Sequence, residues 1–248
     1  MDQPTAKLAS KKSRKKKGKT VEEVFWEIKN MIYYNLLAPG QKIIYKDIAQ
    51  RLNVSVTPIV QALKRLELSN LVVYKPNIGY FVGELTEEAV VELYQVREAL
   101  EIYSLPLVMR NLRKKDLKSI RDAFKQYREA TAPDQGRMLM LRDAQFHLKI
   151  VEYSGNKTLH AHLKDVLEQI YMKYKPEYLI KDRVKGALQE HNAILNSLTQ
   201  GDVAKTQGLL RDHIHNGKSH IVHNLRLNQK IFLLEPGSKT PVWIDDQG

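Results

Sequence analysis

The sequence predicts a mainly α protein in two parts, an N-terminal winged helix-turn-helix and a C-terminal all-α bundle of six helices. Two observations carry this. Residues 39–83 are ordered as helix, sharp turn, helix and small hairpin, the element order of a module whose second helix fits the major groove of DNA. From Thr86 to Leu227 the pattern reads only as helices, with a clear break at Gly201.

The elements follow in order. Residues 1–20 form a low-complexity basic tail expected to be disordered. The first helix is expected from Val21 to Leu37, with Val24, Phe25, Ile28, Ile32 and Leu36 on one face. Pro39-Gly40 stops it. Asp47, Ile48, Leu52 and Val54 mark a second, short helix. Ser55 or Thr57 can cap the third, with Pro58 in its first turn, where a missing N–H costs little. Ile59, Ala62, Leu63 and Leu66 form its core stripe, while Gln61, Lys64 and Arg65 face outward. Leu71 to Tyr74 and Tyr80 to Val82 are β-prone runs flanking a Lys75 to Gly79 turn.

This DNA-binding domain spans 21–84, and Glu84-Leu85-Thr86 joins it to a bundle over 85–227. Six helices are expected there: Thr86 to Met109 with a bend at Pro106, Lys115 to Ala130, Gln135 to Tyr153, Lys157 to Tyr174, Arg183 to Gln200 and Asp202 to Leu227. Residues 228–248, which contain Pro236, Gly237 and Pro241, are expected to form an irregular tail.

Composition narrows the class. The chain has 248 residues, no cysteine and 43% hydrophobic residues. A sizeable core is available, and disulfides and thiolate metal sites are excluded. No apolar run has the length of a membrane helix, and none follows the basic N-terminus as a signal peptide requires, so a cytoplasmic protein is expected. The net charge of +12 is uneven: residues 1–20 carry +7 and residues 21–84 only +1. A basic arm of that kind neutralises phosphates and releases counterions, so it can supply the grip that a nearly neutral module lacks.

Residues 39–82 resemble the winged helix-turn-helix of GntR-type bacterial transcription regulators. The matching positions are Pro39, Gly40, Ile48-Ala49, Leu52, Val54-Ser55, Thr57-Pro58, Ala62-Leu63, Leu66, Leu71-Val72, Asn77, Gly79 and Val82. The resemblance implies a DNA-binding set of Lys46, Ser55, Thr57, Gln61, Lys64, Lys75, Asn77 and Gly79. Two arginines of the family pattern are Val56 and Val60 here, and the acid that follows is Gln61. An arginine reads guanine through paired hydrogen bonds worth roughly 1–3 kcal/mol, whereas valine offers only contact with a thymine methyl. An operator less dependent on guanine at those positions is expected.

A second constellation lies in the bundle. Asp143 and His147 are four apart and share a helix face with Ala144, Leu148 and Val151. His191 lies on the stripe of Ile194, Leu195 and Leu198, and His213 on that of Leu210, Ile214 and Ile221. Taken singly, each histidine reads as an ordinary core residue, and Asp143 as half of an ion pair. Together, one carboxylate and three imidazoles facing a core suit a divalent cation such as zinc, nickel or manganese.

The region also resembles the ligand-binding FCD domain of the FadR subfamily. Arg97 with Leu100-Glu101, Asp143 through His147, Ser154-Gly155-Asn156, Glu190-His191, Gly201-Asp202 and His213-Ile214 carry the likeness. It implies that Asp143, His147, His191 and His213 are metal ligands. It also implies that open positions on the ion take the carboxylate of a small organic acid. Arg97, on the stripe of Leu93, Leu100 and Ser104, suits that carboxylate, and its ordinary alternative is an ion pair with Glu101 or Asp143. His220 shares the face of His213 as a spare donor, and Glu190 is expected to point away from the ion.

The whole reads as a transcription regulator, a repressor by family habit. It is expected to act as a homodimer on double-stranded DNA with a palindromic operator, under control of a small carboxylate effector. The alternatives are a metal-dependent enzyme acting on a small acid and an architectural DNA-binder without effector.

Overall fold

The computed structural model describes residues 19–131, 136–175 and 181–234, with residues 181–182 and 228–234 described by backbone alone. Residues 1–18 and 235–248, which hold most of the two expected tails, lie outside the described residues.

Helix α1 (Val21–Tyr33) begins with a reciprocal cap: Glu23 N donates to Thr20 Oγ1 at 3.2 Å and Thr20 N to the Glu23 carboxylate at 2.6 Å. It stops four residues before the expected Leu37. Asn35 turns left-handed at φ 58°, and the amides of Leu36 and Leu37 both fold back on Met31 O, at 2.8 and 3.1 Å. Helix α2 (Tyr45–Leu52) closes on left-handed Asn53, and α3 (Val56–Leu68) follows at once. Ser55 stands at the α3 N-cap without a side-chain hydrogen bond, and Thr57 falls inside the first turn, so the expected side-chain cap is not made.

Strands β1 (Val72–Lys75) and β2 (Gly79–Val82) pair antiparallel from Val72 opposite Val82 to Lys75 opposite Gly79. Gly79 has φ 112°, and a Cβ there would meet Tyr45 Oη at 3.2 Å. Val24, Ile28, Ile59, Ala62, Leu63 and Leu66 are completely buried at the centre of this module. Met172, far along the chain, packs into the same core.

The bundle consists of α4 (Glu87–Asn111), α5 (Leu117–Glu129), α6 (Gly136–Glu152), α7 (Lys157–Lys173), α8 (Lys181–Gln200) and α9 (Val203–Leu234). The six helices match expectation closely, except that α9 continues seven residues beyond Leu227 into the expected irregular tail. Helix α4 packs on α6, α7 and α9. It runs through Pro106 without ending. Proline cannot donate to the carbonyl four residues earlier, and Gln207 Nε2 of α9 donates to that carbonyl, Ile102 O, at 3.3 Å instead. Among the described residues, no helix is long and apolar enough to cross a membrane.

Candidate metal centre and DNA face

Asp143 and His147 from α6, His191 from α8 and His213 from α9 meet between the helices. One donor atom from each lies within 4.8 Å of every other. His147 and His191 are completely buried and His213 nearly so. The three Nε2 atoms form an almost equilateral triangle with edges of 3.1, 3.2 and 3.2 Å. Asp143 Oδ1 is 3.3 Å from His191 Nε2, and Oδ2 is 3.8 Å from His147 Nε2.

What stands behind the imidazoles fixes their chemistry. His147 Nδ1 is 2.7 Å from Glu101 Oε2, and His213 Nδ1 is 2.7 Å from Glu190 Oε2. Burial opposes ionisation of Glu101, but His147 and Arg97 outweigh it and bring the carboxyl down to about 2. For Glu190, burial is likewise overcome by its bonds to His213 and Arg183, and the carboxyl also falls to about 2. Ionised carboxylates only accept, so Nδ1 of His147 and Nδ1 of His213 both donate. Burial and the neighbouring rings keep His213 neutral, at about 4 despite Glu190. Burial, then His213, pushes His191 well below the ordinary range. His191 Nδ1 has no hydrogen-bond partner.

Three ring nitrogens converge on one point, where a cation can take a lone pair from each. Nitrogens at right angles about 2.1 Å from a common centre lie about 3 Å apart, so this triangle fits a divalent ion. Carboxylates behind the rings are the usual support of histidine ligands.

Arg97 is 2% exposed. Its Nε donates to Glu101 Oε1 at 2.6 Å and its Nη1 to Tyr171 Oη at 3.0 Å. Its Nη2 is 4.0 Å from Asp143 Oδ2 and has no hydrogen-bond partner. The ordinary ion pair with Glu101 is therefore made, and one edge of the guanidinium is still open. Tyr171 Oη donates to Asp143 Oδ2. Arg97, Asp143 and Tyr171 border a cavity of about 80 Å³ that also touches Tyr94, Tyr127, Arg183 and His220. His220 bonds Asn224 at 3.0 Å and stays outside the four-residue cluster.

Sequence reasoning missed the supports. Glu190 lies on the outer side of His213, yet it reaches that ring and is gripped by both terminal nitrogens of Arg183 at 2.9 Å. Tyr171 gave no signal, since it is 28 residues from Asp143 and reads as part of an apolar face.

The residues expected to face DNA lie on one module. Lys46 of α2, Ser55, Thr57, Gln61 and Lys64 of α3 and its cap, and Lys75 and Asn77 of the hairpin are exposed, while Gly79 is half-buried. Asn77 holds the hairpin turn at φ 61°. Lys75 Nζ lies 4.5 Å from the Phe81 ring centre, which steadies it beside the turn. Val56 is exposed at the start of α3.

Comparison with known proteins agrees with both halves. Residues 20–82 match the family described as bacterial regulatory proteins, gntR family, and residues 92–216 match the FCD domain. The chain is 24% identical over 200 residues to the uncharacterized HTH-type transcriptional regulator YdhC of Bacillus subtilis, covering 80% of this chain and 89% of the relative. It is 25% identical over 167 residues to the HTH-type transcriptional regulator McbR of Escherichia coli, covering 66% and 74%. The solved structure of E. coli McbR/YncC superposes with a TM-score of 0.72 at 20% identity, covering 83% of this chain and 98% of that one.

Proposed function

Because the chain belongs to the GntR family of bacterial regulatory proteins and carries an FCD domain, it is a transcription regulator and not an enzyme, and we propose that it is a repressor controlled by a small organic acid at a metal-loaded bundle. The observation that carries this reading is the triangle of Nε2 atoms no more than 3.2 Å apart, two of its rings backed by carboxylates.

In this reading Asp143, His147, His191 and His213 hold a divalent zinc, nickel or manganese ion. When bound, the ion supplies positive charge and coordination for an acid's oxygen. Glu101 and Glu190 keep His147 and His213 in the tautomer that offers Nε2. Arg97 turns its open Nη2 edge to the acid and orients the carboxylate. The cavity of about 80 Å³ restricts the occupant to a small molecule. An acid that favours one arrangement of bundle and DNA module shifts the population toward it and changes operator affinity.

The protein is proposed to act in the cytoplasm as a homodimer. Val96, Ala99 and Tyr103 are exposed on one face of α4, an apolar stripe suited to self-association. Two-fold symmetry then calls for a palindromic operator, with Lys46, Ser55, Thr57, Gln61, Lys64, Lys75, Asn77 and Gly79 at the duplex. Selecting binding sites from random duplexes, then titrating the selected site with metal-loaded protein and a panel of small carboxylates, tests this. A palindrome released by one acid class supports it. Affinity indifferent to metal and to every acid contradicts it.

A further inference from the structure

We propose that Tyr171 is the positioning residue that reports an acid in the cavity to the DNA-binding module, acting through the last turn of α7. This rests on the metal-and-acid reading above and adds the route by which the site speaks to the DNA face.

The first half of the route is a competition for nitrogen atoms on Arg97. Its Nε is committed to Glu101 at 2.6 Å. An acid gripped at two points must therefore use Nη1 and Nη2. Nη2 has no hydrogen-bond partner, but Nη1 holds Tyr171 Oη at 3.0 Å. The incoming carboxylate thus arrives against the phenol oxygen. The phenol also donates to Asp143, one of the four candidate ligands. Both groups that hold Tyr171 are groups that the ion and the acid engage, so the ring cannot ignore occupancy.

The second half is backbone. The carbonyl of Tyr171 accepts from Arg137 Nη1, and Arg137 Nη2 reaches Asn35 Oδ1 at 3.4 Å, in the turn after α1. The next residue, Met172, is 5% exposed and packs in the winged-helix core. A Cβ at Gly83 would lie 3.1 Å from Lys173 Cε, so the chain leaving the hairpin passes close to the same turn. Lys175 pairs with Glu84 at 3.4 Å, and Glu168, one turn before Tyr171, pairs with Lys29 of α1 at 2.7 Å. Residues 168–175 therefore touch the DNA module at several places while Tyr171 touches the cavity. A shift at the ring is carried by a packed helix end and has few soft contacts in which to dissipate.

The joint contains its own reporter. Trp26 lines a cleft of about 280 Å³ between α1 and the α6–α7 pair, whose walls include Tyr171 and Met172. The chain has two tryptophans, and Trp243 lies outside the described residues. The experiment uses the full chain carrying Trp243→Phe, titrated with zinc and then, zinc-loaded, with acetate as the minimal carboxylate. Binding is read by calorimetry and the joint by Trp26 emission. Acetate is expected to shift Trp26 emission. In Tyr171→Phe at saturating zinc and acetate, that shift is lost. Arg137→Gln, outside the cavity, binds both probes like its parent yet also loses the shift, and Arg137→Lys restores part of it. Circular dichroism checks that each variant folds, and Arg137→Gln decides alone if Tyr171→Phe does not. Heat of acetate binding with no change in Trp26 emission in the parent overturns the relay alone, as does a full shift in the folded variants. No heat with zinc, or none with acetate on zinc-loaded protein, overturns the reading of the site and the relay with it.

Discussion

His147 Nδ1 lies 2.7 Å from Glu101 Oε2, across 46 residues of sequence, and the other oxygen of that carboxylate takes Arg97 Nε at 2.6 Å. One buried acid thus orients both a candidate metal ligand and the candidate acid-binding arginine. Glu101→Gln keeps the volume but removes the charge between them. It should weaken zinc about 10–100-fold through the misoriented imidazole and destabilise the protein by about 3–5 kcal/mol by leaving Arg97 buried without its partner. Calorimetry and denaturant unfolding read the two effects, and a variant with parental zinc affinity counts against the supporting role.

Zinc should stabilise the folded chain. A ligand that binds only the native state adds about 2.7 kcal/mol at one hundred times its dissociation constant. The thermal midpoint should rise with zinc and fall with a chelator. In His213→Ala the zinc dependence should vanish, because one vertex of the 3.1–3.2 Å triangle is gone. An equal rise in that variant would place the stabilising ion elsewhere.

Acid should destabilise the metal-free protein in two overlapping windows. His213 is held at about 4 in the folded chain against an ordinary 6.5. Between those values the unfolded chain binds the extra proton, so stability falls as pH drops from 6.5 toward 4. Glu101 and Glu190 sit at about 2 against 4.5. Their contribution is present above 4.5 and is lost as pH falls toward 2, in the same direction. Unfolding midpoints at pH 7.5, 6 and 5 (chosen around ordinary histidine and carboxylate values) should decline in that order, and a flat series contradicts the buried neutral histidines.

Much of the site is legible in the sequence because its candidate ligands obey helix periodicity. The four-residue spacing of Asp143 and His147, and the apolar stripes around His191 and His213, point all four inward before any fold is known. The supports are not legible. Glu101 stands four residues after Arg97 and reads as half of a local pair, while its partner His147 is on another helix. Glu190 reads as a neighbour of His191 that points away from the ion, and only packing of α8 on α9 brings it to the far nitrogen of His213. The fold shows the same division. Gly201 marks the α8–α9 break at φ 78° as read. The early end of α1 depends on left-handed Asn35, and the passage of α4 through Pro106 depends on Gln207 from α9.

The DNA face makes a separate prediction. Val56 is exposed at the first position of α3, so Val56→Arg should restore a two-bond contact to guanine worth about 1–3 kcal/mol at one position of each half-site. Lys64→Ala should instead weaken all sequences alike and reduce the salt slope by about one unit. Site selection and salt titration separate the two. A wild-type consensus already rich in guanine there, unchanged by Val56→Arg, argues against the valine reading.

Metal content of the purified full-length protein, measured by elemental analysis and native mass spectrometry, is the most direct test of the sensing bundle. A protein built as described retains or takes up a single divalent ion per chain, and the double variant His191→Ala, His213→Ala holds none. A folded wild-type protein that neither retains an ion nor acquires one from zinc, nickel or manganese would contradict it.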